Sequence, residues 1–245
     1  HLYCTHGPAT TAPFDALAAT HRDFAVAETG WPKLDPLFSG ALPGAQALRD
    51  RAGSRPVVML ASTFTERLSA ARDLLPHLRE WTTRGDRHWL LTLHPKSDPA
   101  LIDAYRALEG PHAQWLGPDR LLDMLAASDA LVCDTSSVVD EAALLGTPVV
   151  TVRTRVPKPF LLDVADAGEV DAMLGVALRR PPDVLAAMAA HARAIHPARD
   201  GHASQRVLGA IDRLLDGGHR AQRPLPYNAW RRWRARGAMR ALLPG

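Results

Sequence analysis

The chain has few of the residues and runs on which several common protein classes depend. It has two cysteines, Cys4 and Cys133, in 245 residues, which excludes a disulfide-stapled fold and a cysteine-based zinc site. No stretch approaches the ~18 consecutive apolar residues that a membrane-spanning helix needs. We therefore expect both cysteines to be small buried apolar residues of a globular protein in a reducing compartment.

The sequence signatures of several enzyme classes are also missing. No Gly-x-Gly-x-x-Gly, P-loop or Gly-x-Ser-x-Gly motif occurs. The eleven histidines show no spacing typical of metal ligands. The sequence therefore predicts neither a metal ion nor a resident cofactor.

Acidic residues are absent from the C-terminal end. After Asp216 the chain has seven arginines and no Asp or Glu, so the net charge of +3 divides into a tail of +7 and a body of −4. Such a distribution predicts a local contact with an anionic surface and argues against nucleic acid as the partner. Trp230 and Trp233 share a helical face, which suits the headgroup region of an anionic membrane. A nucleic-acid patch or an arm packed on another domain is the alternative. The arginines are Arg220, Arg223, Arg231, Arg232, Arg234, Arg236 and Arg240.

Short apolar runs alternate with helical patterns from Arg55 onward, which predicts a parallel α/β sheet. Residues 167–215 are predicted to be largely helical, with breaks at Pro181-Pro182 and Pro197. Five strands with intervening helices indicate a Rossmann-like fold. The strands are predicted at 57–60, 89–93, 113–116, 130–133 and 148–152, and the helices at 66–81, 99–108, 120–127 and 138–145.

The first fifty residues fit this pattern poorly. Residues 2–4 and 24–26 predict strands, but frequent prolines leave room only for short helices. Two strands cannot form a domain, and the chain begins at His1, so we interpret it as a piece of a longer protein. The predicted parts are 1–50, the end of an N-terminal domain whose earlier part is absent; 51–216, a nucleotide-binding Rossmann-like domain; and 217–245, a basic tail. The prolines are Pro8, Pro13, Pro32, Pro36 and Pro43.

The stretch from Ser128 to Ala142 joins a predicted strand to a helix through polar residues. Ser136 or Ser137 is the predicted N-cap, with Asp140 or Glu141 at the reciprocal capping-box position. The N–H groups and positive dipole end of that helix form an anion site, at the sheet edge where ligands bind in such folds. A plain capped helix is the alternative interpretation.

Two histidines follow predicted strands. His94 precedes Pro95 and Lys96, where an imidazole can act as general base or donate to phosphate and the lysine can offset phosphate charge. His6 precedes Gly7, which permits the close approach of a ligand or of backbone. A polar surface histidine and an ordinary Gly-Pro turn are the alternatives.

Five separated motifs resemble the CDP-glycerol glycerophosphotransferase family, whose members build teichoic-acid-like and capsular poly(polyol phosphate) chains. The family segments are Thr/Trp-His-Gly, Gly-x-Pro-Arg-x-Asp, Leu-His-Pro, Ala-Asp with Asp-Tyr-Ser-Ser, and Asp-Gly-x-Ala-Ser-x-Arg-Val. Each motif is short, so the specificity lies in their order. In this chain they are Thr5-His6-Gly7, Gly30-Trp31-Pro32-Lys33-Leu34-Asp35, Leu93-His94-Pro95, Ser128-Asp129 with Asp134-Thr135-Ser136-Ser137, and Asp200-Gly201-His202-Ala203-Ser204-Gln205-Arg206-Val207.

The resemblance implies a two-domain GT-B-type fold whose C-terminal half holds a CDP-activated polyol or other nucleotide-linked donor. It implies transfer of glycerol phosphate to a polymer or lipid-linked acceptor without a metal, in the cytoplasm or peripherally on the inner face of the plasma membrane. By this analogy His6 and His94 are catalytic: one deprotonates the acceptor hydroxyl, and the other steadies charge as CMP leaves. The implied nucleotide- and pyrophosphate-binding residues are Gly7, Thr63, Pro95, Lys96, Asp134, Thr135, Ser136, Ser137 and Glu141.

Residues 140–149 with Val152-Arg153 are also similar to the UDP-N-acetylglucosamine 2-epimerase family. Thr135 stands where the glycerophosphotransferases usually have tyrosine, and Ser136-Ser137-Val138 stands where the epimerases have Ser-Gly-Gly. An epimerase or glycosyltransferase that uses a UDP-sugar is therefore the alternative enzyme. A nucleotide-binding module without catalysis is the third reading.

Overall fold

The computed structural model describes residues 1–40, 42–218 and 233. Strands and helices alternate along most of this part of the chain, and three short 3-10 turns lie at Pro32–Leu34, Pro118–Arg120 and Ala167–Glu169. The strands are β1 (Leu2–Thr5), β2 (Ala25–Glu28), β3 (Val57–Ser62), β4 (His88–Leu93), β5 (Ala113–Trp115), β6 (Ala130–Cys133), β7 (Val149–Val152) and β8 (Leu161–Val164). The helices are α1 (Pro8–His21), α2 (Asp35–Phe38), α3 (Pro43–Ala52), α4 (Ala71–Arg84), α5 (Pro99–Arg106), α6 (Leu121–Ala127), α7 (Val138–Leu145), α8 (Val170–Leu178), α9 (Pro182–Ile195) and α10 (Ala203–Leu215).

Strands β3 to β8 form one parallel sheet in the order β5-β4-β3-β6-β7-β8. The chain builds outward from β3 through β4 and β5, and then returns to the other side of β3 with β6. The strand order therefore reverses between β3 and β6, and in open α/β sheets ligands bind at such a switch point. The predicted α/β fold with a Rossmann-like parallel sheet is confirmed.

Both faces of this sheet are buried because alternate residues of each strand enter different cores. Val58 and Leu60 of β3 pack with residues of α4, α5 and α8. Val57 and Met59 pack on the opposite face with residues of α3, α6 and α7. All four side chains are fully buried, which explains why the strands read as continuous apolar runs without alternation.

The helix after β3 begins later than the sequence predicts, at Ala71 instead of Glu66. Residues 63–70 form a loop because the carboxylate of Asp134 accepts the N–H groups of Thr63, at 3.0 Å, and Ala70, at 3.1 Å. These two bonds hold both ends of the loop against the end of β6. The start of α4 is therefore set by a residue that lies 64 positions away from Ala70.

The sheet has a sixth strand, β8, where the sequence predicts five. Its four residues include Asp163 and come soon after Pro157 and Pro159, so the apolar run that marks them is only three residues long, from Phe160 to Leu162. Only Val164 of this strand is buried. Its backbone pairs in parallel with β7, Val149 opposite Leu161, so the neighbouring strand defines this edge strand.

The N-terminal part contains the two predicted strands, β1 and β2, which pair in parallel. The prediction that it holds only short helices was wrong, because α1 has 14 residues and includes Pro13. Pro8 occupies the first helical position, where a missing N–H costs nothing. Pro13 lies inside the helix, where its missing N–H removes one internal hydrogen bond.

The two cysteines lie in different environments. Cys133 on β6 is buried, as predicted, and burial raises the pKa of its thiol. Cys4 on β1 is exposed, which corrects the prediction that both are buried. The reason is that β1 buries only Thr5.

The C-terminal helices cross back to the N-terminal part, where α9 packs against α1 and α10 against β1. Asp35 accepts the N–H groups of Ala203, at 2.9 Å, and Ser204, at 2.8 Å, in the first turn of α10. The Nε of Arg206 donates to the carbonyl of Thr29 at 2.7 Å. The motif at residues 30–35 and the motif at residues 200–207 are thus in contact, although Asp35 and Ala203 are 168 residues apart in sequence.

Replacing Asp35 with alanine is expected to destabilise the protein in a pH-dependent way. Burial acts to raise the pKa of Asp35, but hydrogen bonds from Ser204 and Ala203 and the charge of Arg206 outweigh it, so the pKa is lowered from 3.8. The stabilisation is present above the unfolded pKa and is lost as the pH falls through the lowered folded pKa. We expect a loss of about 1 kcal/mol at pH 7, typical of a helix cap.

Urea unfolding of wild type and Asp35→Ala between pH 2 and pH 7 measures this effect. Asp212→Ala on the same helix is the control and is expected to change stability by less than about 0.5 kcal/mol. If the free energy of unfolding of wild type exceeded that of Asp35→Ala by the same amount down to pH 2, the ionised carboxylate of Asp35 would not be the source of the stabilisation.

None of the described helices is both long and apolar enough to cross a bilayer. The predicted tail contact through Trp230, Trp233 and the seven arginines lies outside the described residues, apart from Trp233, which is exposed.

Candidate functional site

A cleft of about 180 Å³ opens at the carboxyl edge of the parallel sheet, beside the switch point. The ends of β3 and β4 form its floor, and the start of α7 forms one wall. The 3-10 turn of residues 32–34 contributes Lys33 from the N-terminal part. The lining residues are Lys33, Ala61, Ser62, Thr92, Leu93, His94, Pro95, Pro118, Leu121, Ser136, Ser137, Val138 and Glu141.

Two buried polar atoms that line this cleft lack a hydrogen-bond partner among the described residues. They are Oε2 of Glu141 and Oγ1 of Thr92, whose residues are 2% and 5% exposed. The other oxygen of Glu141 accepts from Nζ of Lys33 at 2.6 Å. A buried polar group without a partner costs about 1–3 kcal/mol. Because both residues line the cleft, their unsatisfied atoms mark it as a candidate ligand site.

The predicted capping box at the start of α7 does not form. Ser137 holds the N-cap position in a helical conformation and makes no side-chain cap bond. Ser136 Oγ accepts the N–H of Val138 at 3.4 Å, while Asp140 and Glu141 pair with side chains from other elements. No carboxylate therefore caps this helix, and its first turn can receive an anion in the cleft.

A second cavity, of about 220 Å³, lies on the other side of the same helix start. The carboxylate of Asp140 there accepts a hydrogen bond from Nε2 of His191, at 2.7 Å, and forms an ion pair with Lys158. Thr135 lines this cavity and not the cleft, and its Oγ1 accepts the N–H of Arg155 at 3.0 Å. Within residues 1–40 and 42–218, no group of three or more His, Cys, Asp or Glu side chains is arranged to hold a metal ion.

Asp134 lies beneath the cleft with its side chain buried. Its carboxylate accepts from Oγ of Ser62 and from the N–H groups of Thr63 and Ala70. Burial raises the pKa of Asp134, and these hydrogen bonds offset the rise only in part. The structure thus gives this predicted binding residue three partners within the protein and places it as the support of the 63–70 loop.

His94 is exposed and lines the cleft. Its Nδ1 lies 3.1 Å from the backbone N–H of Lys96. Because a backbone N–H can only donate, Nδ1 is the acceptor and the neutral ring carries its hydrogen on Nε2. The ring packs against Phe64, with centroids 4.4 Å apart, so His94 is held as a hydrogen-bond donor.

The other predicted residues near His94 divide between two cavities. Pro95 lines the cleft. Thr63 lines a neighbouring cavity of about 330 Å³ together with Phe64. Nζ of Lys96 lies 5.6 Å from the centroid of the Phe64 ring, and Lys96 itself lines neither cavity.

His6 lies in a further cavity, of about 170 Å³, on the N-terminal part. Its ring stacks on Trp31 with centroids 4.7 Å apart and an interplanar angle of 4°, and burial lowers its pKa. The ammonium of Lys33 lies 5.9 Å from the centroid of the same Trp31 ring. Trp31 therefore contacts His6 on one side and lies near Lys33, which lines the cleft, on the other.

Gly7 is required for packing. A Cβ at this position would lie 2.6 Å from the carbonyl oxygen of Ile195 and 2.8 Å from Cδ of Pro197. The close approach that the sequence predicts at Gly7 is thus made by the end of α9.

Sequence reasoning assigned no function to Lys33 or Thr92. Lys33 stands at the arginine position of the Gly-x-Pro-Arg-x-Asp motif, so its positive charge at this position was a first signal. Thr92 is a polar residue near the end of an otherwise apolar strand, which is a second signal, because strand ends border the ligand edge of such sheets.

No protein-family model and no curated protein matches this chain. Solved structures match its fold. The wall teichoic acid polymerase TagF superposes with a TM-score of 0.66 at 16% identity, over 87% of this chain and 57% of that chain. A putative UDP-N-acetylglucosamine 2-epimerase from Listeria monocytogenes superposes with a TM-score of 0.58 at 19% identity, over 89% and 61%. S. aureus MnaA in its UDP co-structure gives 0.58 at 15%, over 87% and 61%.

At these identities the likeness shows the fold alone. The chain spans 57% to 61% of the length of these three proteins. The polymerase and the putative epimerase superpose on this chain to about the same degree. Their structural similarity therefore does not distinguish between the two families that the motifs suggest. The chain has an α/β fold similar to the GT-B-type folds of these proteins.

Proposed function

We propose that the cleft binds a nucleotide-linked donor and that the chain transfers glycerol phosphate, or a related polyol phosphate, from a CDP-activated donor. The acceptor is a hydroxyl of a polymer or lipid-linked chain in cell-surface polymer synthesis. The observation that carries this proposal is that Glu141 and Thr92, each with a buried oxygen that has no partner among the described residues, line one cleft with His94 and an uncapped helix start.

The groups around the cleft suit the parts of a nucleoside diphosphate. The hydroxyls of Ser136 and Ser137 and the first turn of α7 provide donors for the phosphates. Lys33 and Lys96 supply positive charge at the same edge. Glu141 has a free acceptor oxygen for sugar hydroxyls. The structures of TagF soaked with CDPG and of MnaA with UDP belong to proteins of this fold, which supports a donor of this class.

The two histidines suit different halves of the transfer. The acceptor oxygen attacks the phosphorus of the transferred group, a P–O bond forms, and the P–O bond to CMP breaks with its electron pair leaving on CMP. His6 suits the base that takes the acceptor proton, because its lowered pKa keeps it neutral at neutral pH. His94 suits the donor that stabilises the phosphate oxygens, because its hydrogen is on Nε2.

A UDP-sugar epimerase or glycosyltransferase is the second candidate. The fold similarity to the 2-epimerases and to MnaA with UDP favours it, and the same cleft would hold the nucleotide. A nucleotide-binding module without catalysis is the third candidate, and it predicts binding without turnover.

Residues 1–50 are proposed to be the end of an acceptor-side domain. The tail of seven arginines with Trp230 and Trp233 is our proposed contact with an anionic membrane surface. This contact would keep a cytoplasmic enzyme beside a lipid-linked acceptor.

Calorimetric titration with CDP, CMP, UDP and UMP, without added metal, tests the donor. Cytidine-selective binding supports the glycerophosphotransferase, and uridine-selective binding favours the epimerase or glycosyltransferase. Absence of binding to all four would contradict a nucleotide site in this chain.

Replacing both Ser136 and Ser137 with alanine is expected to weaken CDP binding at least about tenfold, since each hydroxyl can donate to a charged phosphate oxygen. Cytidine, which lacks phosphates, is expected to bind both proteins equally. Ser54→Ala, at the amino edge of β3, is the matched control. Unchanged CDP affinity in the double variant would show that the phosphates do not bind at the start of α7.

A further inference from the structure

Two cavities meet at the start of α7, and they share Ser136 and Ser137 as lining residues. The cleft, of about 180 Å³, lies on one side of the helix start, and the second cavity, of about 220 Å³, lies on the other. A diphosphate held by the two serines and the first turn of the helix therefore lies between the two cavities. In a nucleotide-linked donor, the groups at the two ends of the diphosphate are the nucleoside and the group to be transferred.

The threonine hydroxyls of the second cavity are still available as hydrogen-bond donors. Oγ1 of Thr135 accepts the N–H of Arg155 at 3.0 Å, and Oγ1 of Thr154 accepts the N–H of Val156 at 3.4 Å. Neither hydroxyl donates to another group among the described residues. Because each hydroxyl oxygen carries one hydrogen, both can donate to a ligand in this cavity.

Asp140 supplies an acceptor to the same cavity, and Lys158 balances its charge. Nε2 of His191 lies 2.7 Å from Oδ1 of Asp140, and Nζ of Lys158 pairs with the same oxygen. The second oxygen, Oδ2, is left without a partner among the described residues. The ring of Phe160 packs against His191, with centroids 5.0 Å apart, and lies 5.9 Å from Nζ of Lys158. The carboxylate and the ammonium are thus held in place, and the lining of the cavity has no net formal charge.

This lining suits a neutral group with several hydroxyls. A hydroxyl both donates and accepts, so it can use the threonine hydrogens and the free oxygen of Asp140. The remaining lining residues, Val139 and Val156, offer apolar surface to the C–H groups of such a ligand. A charged group would find no unbalanced opposite charge to offset the loss of its hydration.

We propose that the second cavity holds the transferred group of the donor, a neutral polyol or sugar, while the nucleotide occupies the cleft. This inference rests on the proposed function, because it needs a diphosphate at Ser136 and Ser137. It assigns Thr135, Thr154 and Asp140 to recognition of the transferred group. Thr135, which the family resemblance groups with the nucleotide-binding residues, thereby serves the other end of the donor.

Protection of a thiol in the second cavity tests where the transferred group lies. Val156 lines this cavity and is 55% exposed, so Val156→Cys in a Cys4→Ser background places a reactive thiol there, while Cys133 is buried. At about ten times its Kd, CDP-glycerol is expected to slow modification of this thiol by a maleimide about tenfold, and CDP by less than about twofold. UDP-N-acetylglucosamine and UDP are run in parallel. Leu208→Cys on α10, at a position that is 62% exposed, is the control that no ligand is expected to protect.

Calorimetry on the same variant shows which of the four ligands bind. Equal protection by a nucleotide and its donor would place the nucleotide in the second cavity and overturn the inference. A donor that binds without protecting the thiol would also overturn the inference and leave the nucleotide site intact. Protection by UDP-N-acetylglucosamine alone supports the inference with a sugar as the transferred group. Absence of binding by all four overturns the proposed function, and the inference with it.

Thr154→Val tests the chemistry of recognition, because it removes one hydroxyl and keeps the shape and charge of the side chain. It is expected to weaken CDP-glycerol binding about fivefold, as for the loss of one hydrogen bond. Binding of CDP and of CDP-choline, whose head group has no hydroxyl, is expected to change by less than about twofold. Thr82→Val, half-buried near the far end of α4, is the matched control. Equal losses for CDP-glycerol and CDP-choline would contradict recognition of hydroxyls.

Discussion

Replacing His94 with alanine is expected to reduce turnover by about 100- to 10,000-fold, the range for a positioned proton donor or acceptor. The ring is exposed at the cleft, and the N–H of Lys96 occupies its Nδ1. Only Nε2 remains for the reacting phosphate, so alanine removes the donor without removing a buried contact. Release of CMP from CDP-glycerol measures the effect, with epimerisation of UDP-N-acetylglucosamine assayed in parallel.

Glutamine variants separate the roles of the two histidines. The amide NH₂ of glutamine can replace a donor at Nε2 but cannot take up a proton, so His94→Gln is expected to recover part of the activity that His94→Ala loses. His6→Gln is expected to recover nothing over His6→Ala, because a base is required there. Equal activity of His94→Ala and wild type would remove His94 from the mechanism, and calorimetry with CDP would show whether binding is intact.

Replacing Asp134 with alanine is expected to have the largest effect on stability, about 3 kcal/mol or more, because each buried donor left without an acceptor costs about 1–3 kcal/mol. The hydroxyl of Ser62 and the N–H groups of Thr63 and Ala70 would lose their common acceptor. Because these bonds hold both ends of the 63–70 loop, Phe64 would also lose its fixed place against His94. Nucleotide turnover should therefore fall even where the variant remains folded.

Asp103→Ala is the matched control for Asp134→Ala, since this side chain is 74% exposed and forms a 3.5 Å ion pair with Arg106. We expect it to change the free energy of unfolding by less than about 0.5 kcal/mol. Asp134→Asn keeps one acceptor oxygen and should be less destabilised than Asp134→Ala. Urea unfolding of the three variants measures the differences in the free energy of unfolding. If Asp134→Ala were as stable as Asp103→Ala, the hydrogen bonds of Asp134 would not be needed to hold the 63–70 loop.

The meeting of strand ends in one cleft could be predicted from local patterns. The carboxyl ends of parallel strands share one edge, so residues that follow strands β4 and β6 must lie near each other. His94, Ser136 and Ser137 line one cleft for this reason. His6 follows a strand as well, but that strand belongs to the separate two-stranded sheet, and His6 lines a different cavity.

The roles of individual side chains could not be read from the same patterns. Asp140 and Glu141 stand where a capping box would need them, yet Asp140 pairs with His191, 51 residues away, and Glu141 with Lys33, 108 residues away. Asp134 is part of a motif associated with nucleotide binding in the resembled family, yet its carboxylate supports a loop. Competition between a local bond and a distant one is decided by tertiary packing.

The sequence by itself determined the layout of this protein: a parallel sheet, its strand ends, and the helix start that faces them. It did so because apolar runs, helical periods and prolines act over a few residues. Only the tertiary structure decided which hydrogen-bonding atoms remain available, that is, without a partner among the described residues, such as Oγ1 of Thr92 and Oε2 of Glu141. The physical reason is that availability depends on what every neighbouring group has already bound, and those neighbours come from strands, loops and helices far apart in the chain.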